Sequence, residues 1–221
     1  MSTARQELLR LLAHKSFKLG EFKLSSGATS DYYVDCRTTT LDARGSQLTG
    51  QVFLEEIRGR GWKPQAIGGL TIGADPIVVA TTVTSGELNG FLVRKLEKQH
   101  GTRQRIEGYH EKGARVVIVD DVCTTGASTI EAIEAAREYG FEVVAAMCLV
   151  EREEAGGRRS VEKAASPAPF VSIFRASDVR REHVLQTDET TEVPAISSNC
   201  ELCGRPAVTY SPRIRCEVHK N

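Results

Sequence analysis

Apolar positions along this chain change period several times. Leu8, Leu9, Leu11 and Leu12 cluster on one side of a helix expected over residues 2–15, which Ser2 or Thr3 can cap. Phe17 to Leu24 and Tyr32 to Cys36 read as short strands on either side of the turn Ser25-Ser26-Gly27. Helical spacing returns over residues 42–58 and ends at Gly59 and Gly61. From there short apolar runs alternate with helical stretches. Ala66 to Leu70, Phe91 to Arg94, Arg115 to Asp120, Val143 to Val150 and Phe170 to Phe174 read as strands, with helices over 74–85 and 127–139. Residues 95–113 are polar and carry no apolar period. Strands alternating with helices imply right-handed βαβ units, hence an α/β fold with a mainly parallel sheet flanked by helices.

Composition narrows the function classes. With 221 residues the chain can bury a large core without disulfides. Lys plus Arg and Asp plus Glu number 29 each, so no basic excess favours nucleic acid or a membrane surface. No apolar run approaches the roughly 20 residues of a membrane span, and residues 1–10 lack the apolar stretch of a signal peptide. The cytoplasm is the expected location. Cys36, Cys123 and Cys148 sit in apolar contexts that suit buried free thiols. After residue 180 the chain turns polar and acidic, so 1–180 is expected to be one domain, 181–199 a linker and 200–221 a separate Cys/His segment.

The densest chemistry lies at Val119-Asp-Asp-Val-Cys-Thr-Thr-Gly-Ala-Ser-Thr129. A buried strand ends in two carboxylates, a hydroxyl-rich loop with one glycine follows, and a helix begins. Ligands of open α/β sheets bind beyond the carboxyl ends of the strands. The helix start offers free N–H groups and a positive dipole end to a phosphate. Asp120 and Asp121 suit hydroxyl donors, such as a ribose diol, or a metal. A Walker A loop is excluded because Ala127 stands where its Lys belongs, and Gly68-Gly-Leu-Thr-Ile-Gly73 is not the dinucleotide fingerprint. A capped turn with no ligand is the plainer reading, but two acids and four hydroxyls at one strand end exceed what capping needs.

This segment resembles the phosphoribosyl-pyrophosphate signature of type I phosphoribosyltransferases. Arg94-Lys95-Leu-Glu-Lys98-Gln-His100-Gly101-Thr-Arg103-Gln-Arg105 carries five cations and one acid. As a bare charge run it would be a solvated loop. Its spacing resembles the mobile loop of the orotate phosphoribosyltransferase family. Ser26-Gly27 with Ser30-Asp-Tyr-Tyr-Val-Asp35 resembles that family's hood, mainly residues 1–40. Gly68 to Ile77 resembles its pyrophosphate loop, and Val150-Glu-Arg152 the segment whose Arg meets the orotate carboxylate. Two departures stand out: Ser25 and Ala28 occupy the hood turn where many members carry Lys or Arg, and no Lys stands near Ile72.

The resemblance implies a Mg²⁺-dependent transfer of ribose 5-phosphate from phosphoribosyl pyrophosphate to orotate, giving orotidine 5′-phosphate and pyrophosphate. It implies Lys98, His100, Asp120 and Asp121 as catalytic groups. Arg94, Lys95, Lys98, His100, Asp120, Asp121, Val122, Cys123, Thr124, Thr125, Gly126, Ala127 and Ser128 would bind phosphoribosyl pyrophosphate, and Thr124 and Arg152 orotate. It further implies a homodimer that shares the basic loop across its interface. Two alternatives remain: a purine phosphoribosyltransferase, and a regulator that binds phosphoribosyl pyrophosphate without turnover.

The last segment lies outside the resemblance. Cys200-x2-Cys203-x12-Cys216-x2-His219 has a spacing that can surround a tetrahedral zinc ion, with Gly204 permitting the tight turn of a knuckle. Four protein ligands would close such a site, making it structural rather than catalytic. A tail with incidental thiols is the competing reading. Arg205, Arg213, Arg215 and Lys220 are too few to imply nucleic-acid binding.

Overall fold

The computed structural model describes residues 2–23, 29–95, 105–191, 208–210 and 213–215. Helix α1 (Thr3–Leu11) begins at Ser2, whose hydroxyl accepts the Arg5 N–H, and widens into a single π turn over Leu12–Ser16. Strands β1 (Phe17–Lys23) and β2 (Thr29–Val34) form an antiparallel pair. A short α2 (Arg37–Thr40) leads to α3 (Ala43–Gly59), capped by Asp42, whose carboxylate accepts the Arg44 and Gly45 N–H groups. Then follow β3 (Ala66–Leu70), α4 (Asp75–Ser85), β4 (Asn89–Val93), β5 (Ile106–Gly108), β6 (Arg115–Cys123), α5 (Ala127–Tyr139), β7 (Glu142–Glu151), α6 (Gly157–Ala165), β8 (Phe170–Arg175) and α7 (Ala176–Thr191).

Strands β3 to β8 build one six-stranded sheet in the order β5-β4-β3-β6-β7-β8, parallel except for the edge strand β5. Alternation along β6 divides the core. Val117 and Val119 face α1, α3 and α4 through Leu8, Val52, Phe53 and Ile77. Val116 and Ile118 face α5 and α6 through Ala132, Ile133 and Val161. Both layers are fully buried, which is why β3 and β6 read as continuous apolar runs.

The α/β class and the mainly parallel sheet match the sequence reading. Four differences have local causes. Strand β6 continues to Cys123 because β7 runs on beside it, pairing Val122 with Val150 and Cys123 with Glu151; the two acids therefore lie within the strand. Strand β5 lies in the segment expected to lack structure, and at three residues it is too short to show a period. Helix α6 was missed because only Val161 and Ala165 mark its buried side after a Gly-Gly-Arg-Arg start. The expected linker begins inside α7, which extends to Thr191, so residues 181–191 are helical.

Contacts divide the chain into Met1–His183 and Val184–Asn221. Within the second unit β9 (Val208–Tyr210) pairs antiparallel with β10 (Arg213–Arg215), in the interval between Cys203 and Cys216. No helix among the described residues is long and apolar enough to cross a membrane.

Candidate active site

The sheet order reverses between β3 and β6. The chain leaves β3 toward β4 on one side, while β6 continues to β7 on the other. A crevice opens at the carboxyl ends of two such strands because their loops diverge. The loop after β3 (Thr71 to Ala74) and the loop after β6 (Thr124 to Gly126) flank that crevice. Gly73 allows their approach, since a Cβ there would lie 2.4 Å from Asp121 Oδ1. Gly126 adopts φ +81° and lies against Gly157 at the start of α6, a turn that side chains disfavour.

Two adjoining cavities occupy this edge. One of about 600 Å³ is lined by Asp120, Asp121, Val122, Ser128, Thr71 to Gly73, Lys95 and Arg37. The other, about 980 Å³, lies under the β1–β2 hood and includes Ser30, Tyr32, Thr125, Glu154 and Arg180. Thr124 and Arg152 line both.

Asp120 is 4% exposed. Its Oδ1 accepts the Asp121 N–H at 3.0 Å and its Oδ2 the Thr129 hydroxyl at 2.8 Å. Burial, reinforced by the neighbouring Asp121 charge, pushes the Asp120 carboxyl up to about 7. Burial also raises Asp121, while the Arg37 guanidinium pulls the other way. Arg37 is held by Asp35, with Nε to Oδ1 and Nη2 to Oδ2 both at 2.9 Å. Sequence reasoning missed Arg37, because a lone Arg in a polar turn carries no signal.

Arg152 is 7% exposed and rigidly held. Its Nε donates to Tyr32 Oη at 3.0 Å and its Nη2 to Ser30 Oγ at 2.9 Å. The guanidinium stacks over the Tyr32 ring at 4.5 Å, and Tyr32 in turn stacks on Phe17. Tyr32 is pushed up to about 12 by burial and by its hydrogen bond to Glu154.

The structure brings Asp120, Asp121, Val122, Thr124, Thr125, Ser128, Lys95 and Arg152 to these cavities. Cys123 is buried, and its thiol packs in the core between β6 and α5. Gly126 and Ala127 form the turn into α5. Arg94 pairs with Glu107 across the β4–β5 hairpin at 3.4 Å. The ends of the basic segment are pinned together: Arg94 N–H donates to Arg105 O at 2.9 Å, and Arg105 pairs with Glu131. Lys98 and His100 lie outside the described residues, as do Cys200, Cys203, Cys216 and His219. Among the described residues no group of three or more His, Cys, Asp or Glu could hold a metal ion. Asp120 and Asp121 offer a carboxylate pair that fits Mg²⁺ retaining other oxygen ligands.

An acid pair at a switch point, opposite a hydroxyl-rich helix start, offers acceptors for hydroxyl groups beside N–H and hydroxyl donors for a phosphate. The phosphoribosyl transferase domain family matches residues 78–167. An orotate phosphoribosyltransferase of Aquifex aeolicus is 42% identical over 182 residues, covering 79% of this chain and 97% of its own. One from Corynebacterium glutamicum is 43% identical over 177 residues, covering 80% and 94%. The crystal structure of Mycobacterium tuberculosis orotate phosphoribosyltransferase in complex with 5-phospho-alpha-D-ribosyl 1-diphosphate superposes with a TM-score of 0.67 at 35% identity, covering 80% of this chain and 98% of that one. The chain belongs to the orotate phosphoribosyltransferase family.

The buried acid predicts a pH dependence. Folded Asp120 keeps its proton to about pH 7, whereas the unfolded chain releases it near pH 4. The folded state thus binds more protons between these values, and this group's contribution to stability is lost as pH rises through the window. Asp120→Asn cannot titrate, so the variant should gain on the parent protein between pH 5 and pH 7, by up to about 1.4 kcal/mol per pH unit. Urea unfolding of both proteins, free of ligand, measures it. A stability difference between the two proteins that stays constant from pH 5 to pH 7 would mean that Asp120 is already ionised in the free enzyme.

Proposed function

We propose that this orotate phosphoribosyltransferase holds phosphoribosyl pyrophosphate over Asp120 and Asp121 and orotate beneath the hood, with the reacting atoms meeting beside Thr124. The observation that carries this reading is that two cavities, one acidic and one bearing a buried arginine, adjoin at Thr124 and Arg152. The bond from ribose C1 to pyrophosphate breaks, its electron pair leaves with pyrophosphate, and orotate N1 bonds to C1 as its N–H proton passes to the departing pyrophosphate. Positive charge grows on the ribosyl group meanwhile. Ionised Asp120 and Asp121 accept the ribose hydroxyls and favour that charge. Loop N–H groups with Thr124, Thr125 and Ser128 hold the 5-phosphate at the start of α5. Lys95, with Arg94, Lys98 and His100, offsets the charge on pyrophosphate and closes out water. Mg²⁺ when bound supplies further neutralisation of the pyrophosphate oxygens. Arg152 pairs with the orotate carboxylate through its planar fork, a contact purine bases cannot make.

The basic segment is shared between two copies in a homodimer. An apolar face supports this: Ile72, Val79 and Val83, the last two one helical turn apart on α4, are 66%, 59% and 78% exposed. A zinc ion at Cys200, Cys203, Cys216 and His219 is supported by their spacing and by the β9–β10 hairpin that fills the interval.

Steady-state kinetics test the base assignment. Arg152→Ala should lower kcat/KM for orotate by about 10²-fold or more, with a smaller effect on the KM of phosphoribosyl pyrophosphate. An unchanged orotate KM would remove Arg152 from the site. Lys98→Ala should lower kcat by about 10²-fold. If the segment crosses the interface, mixing Lys98→Ala with Asp120→Asn restores activity, because each hybrid dimer then has one site free of both changes. Mixtures no more active than their parts would confine the segment to its own subunit. Elemental analysis of the purified chain should find one zinc per chain, and its absence would dismiss the knuckle.

A further inference from the structure

One group in the base cavity has no part in the mechanism above. Glu154 sits in the short turn Glu153–Ala155 after β7. Its Oε1 lies 3.1 Å from Arg152 Nε and 3.1 Å from Arg152 Nη2, and accepts the Tyr32 hydroxyl at 2.5 Å. A single carboxylate oxygen therefore fills a cradle of three donors at the wall of the cavity. The two partners differ in freedom: the Arg152 side chain is 9% exposed and the Glu154 side chain 53%. Arg152 is fixed by Ser30, Tyr32 and the backbone, since its N–H also donates to Cys123 O at 2.9 Å. Glu154 stands on a turn of three residues and can swing into solvent at little cost.

We propose that Glu154 is a displaceable internal carboxylate: it occupies the Arg152–Tyr32 cradle while the base cavity is empty and yields it to the carboxylate of the bound pyrimidine. This rests on the reading that Arg152 receives that carboxylate. A buried guanidinium facing an empty cavity would be costly to leave unpaired, so the exchange keeps it satisfied in both states. Glu154 thereby sets affinity as a positioning residue. A ligand that brings its own carboxylate replaces the pair, whereas the same ligand without one gains nothing by displacing it. The cost of competition falls only on carboxylated ligands.

Orotidine 5′-phosphate and uridine 5′-monophosphate differ by that carboxylate and separate the effects. In calorimetric titrations, Glu154→Ala should bind orotidine 5′-phosphate about three- to tenfold more tightly than the parent, a range set by the half-exposed partner, with uridine 5′-monophosphate unchanged. Glu154→Gln should show a smaller gain, and guards against loss of fold in the alanine variant. In turnover the gain should appear as a lower orotate KM rather than a higher kcat, because a tighter product leaves more slowly. In the Arg152→Ala background the gain should vanish. Unchanged or weaker binding of orotidine 5′-phosphate by both Glu154 variants overturns the proposal. So does equal tightening of both nucleotides, which would mark mere enlargement of the cavity. If Arg152→Ala alone leaves orotidine 5′-phosphate binding intact, the assignment of Arg152 itself fails, a result distinct from failure of the exchange.

Discussion

The parallel pairing of β3 with β6, with their connections leaving to opposite sides, is the constraint on which the active site depends. It fixes Ala66 against Val116 and Gly68 against Ile118, so β3 ends level with the acid pair while β6 runs on to Cys123. It also sets the acid pair against the loop after β3, an approach that only a residue without Cβ permits at position 73. Neither loop could be recruited if β3 and β6 were separated by another strand. The apolar layers above and below the sheet serve this register, because a one-residue slip of β6 would exchange the faces of Val116 to Val119 and bury the wrong set.

Electrostatics explain why the acid pair is costly to bury in its charged form. Asp120 is buried beside a second carboxylate and holds its proton, and Arg37 is the cation that acts on Asp121 from a neighbouring turn. Hydroxyl donors and a divalent cation reverse this balance by favouring the charged form. The hood cavity holds the buried Arg152, with Arg180 at its wall paired to Asp31 at 2.7 Å and Glu21 and Glu154 beside them. On the proposed reading, the acid pair suits the ribose hydroxyls of the donor and the buried arginine the carboxylate of the acceptor.

Much of this was legible in the sequence because it is local. The run Val119 to Thr129 writes strand, acids, turn and helix start in eleven consecutive residues, and the structure folds them in that order. Helix α3 was readable from its helical spacing and the glycines that end it. What escaped was set by partners distant in the chain. The extension of β6 depends on β7, and α6 buries too few side chains to show a period. The start of α7 was hidden by its polar composition. Arg37 has no signature because its relevance arises only when α2 is brought to the crevice.

The hood departures take on a different meaning beside this geometry. Ser25 and Ala28 lie outside the described residues, and the hood cavity carries its own cations in Arg152 and Arg180. Arg152 is held by β2, and Arg37 stands three residues beyond the end of that strand. A cation on a flexible turn must be ordered whenever substrate binds, at a cost in side-chain entropy that a packed guanidinium has already met during folding. Here β2 is the element that couples folding to recognition. Its Ser30 and Tyr32 brace the arginine of the hood cavity, and Asp35 just beyond its end fixes Arg37 in the cavity of the acid pair. One short strand thus orders a cation in each cavity.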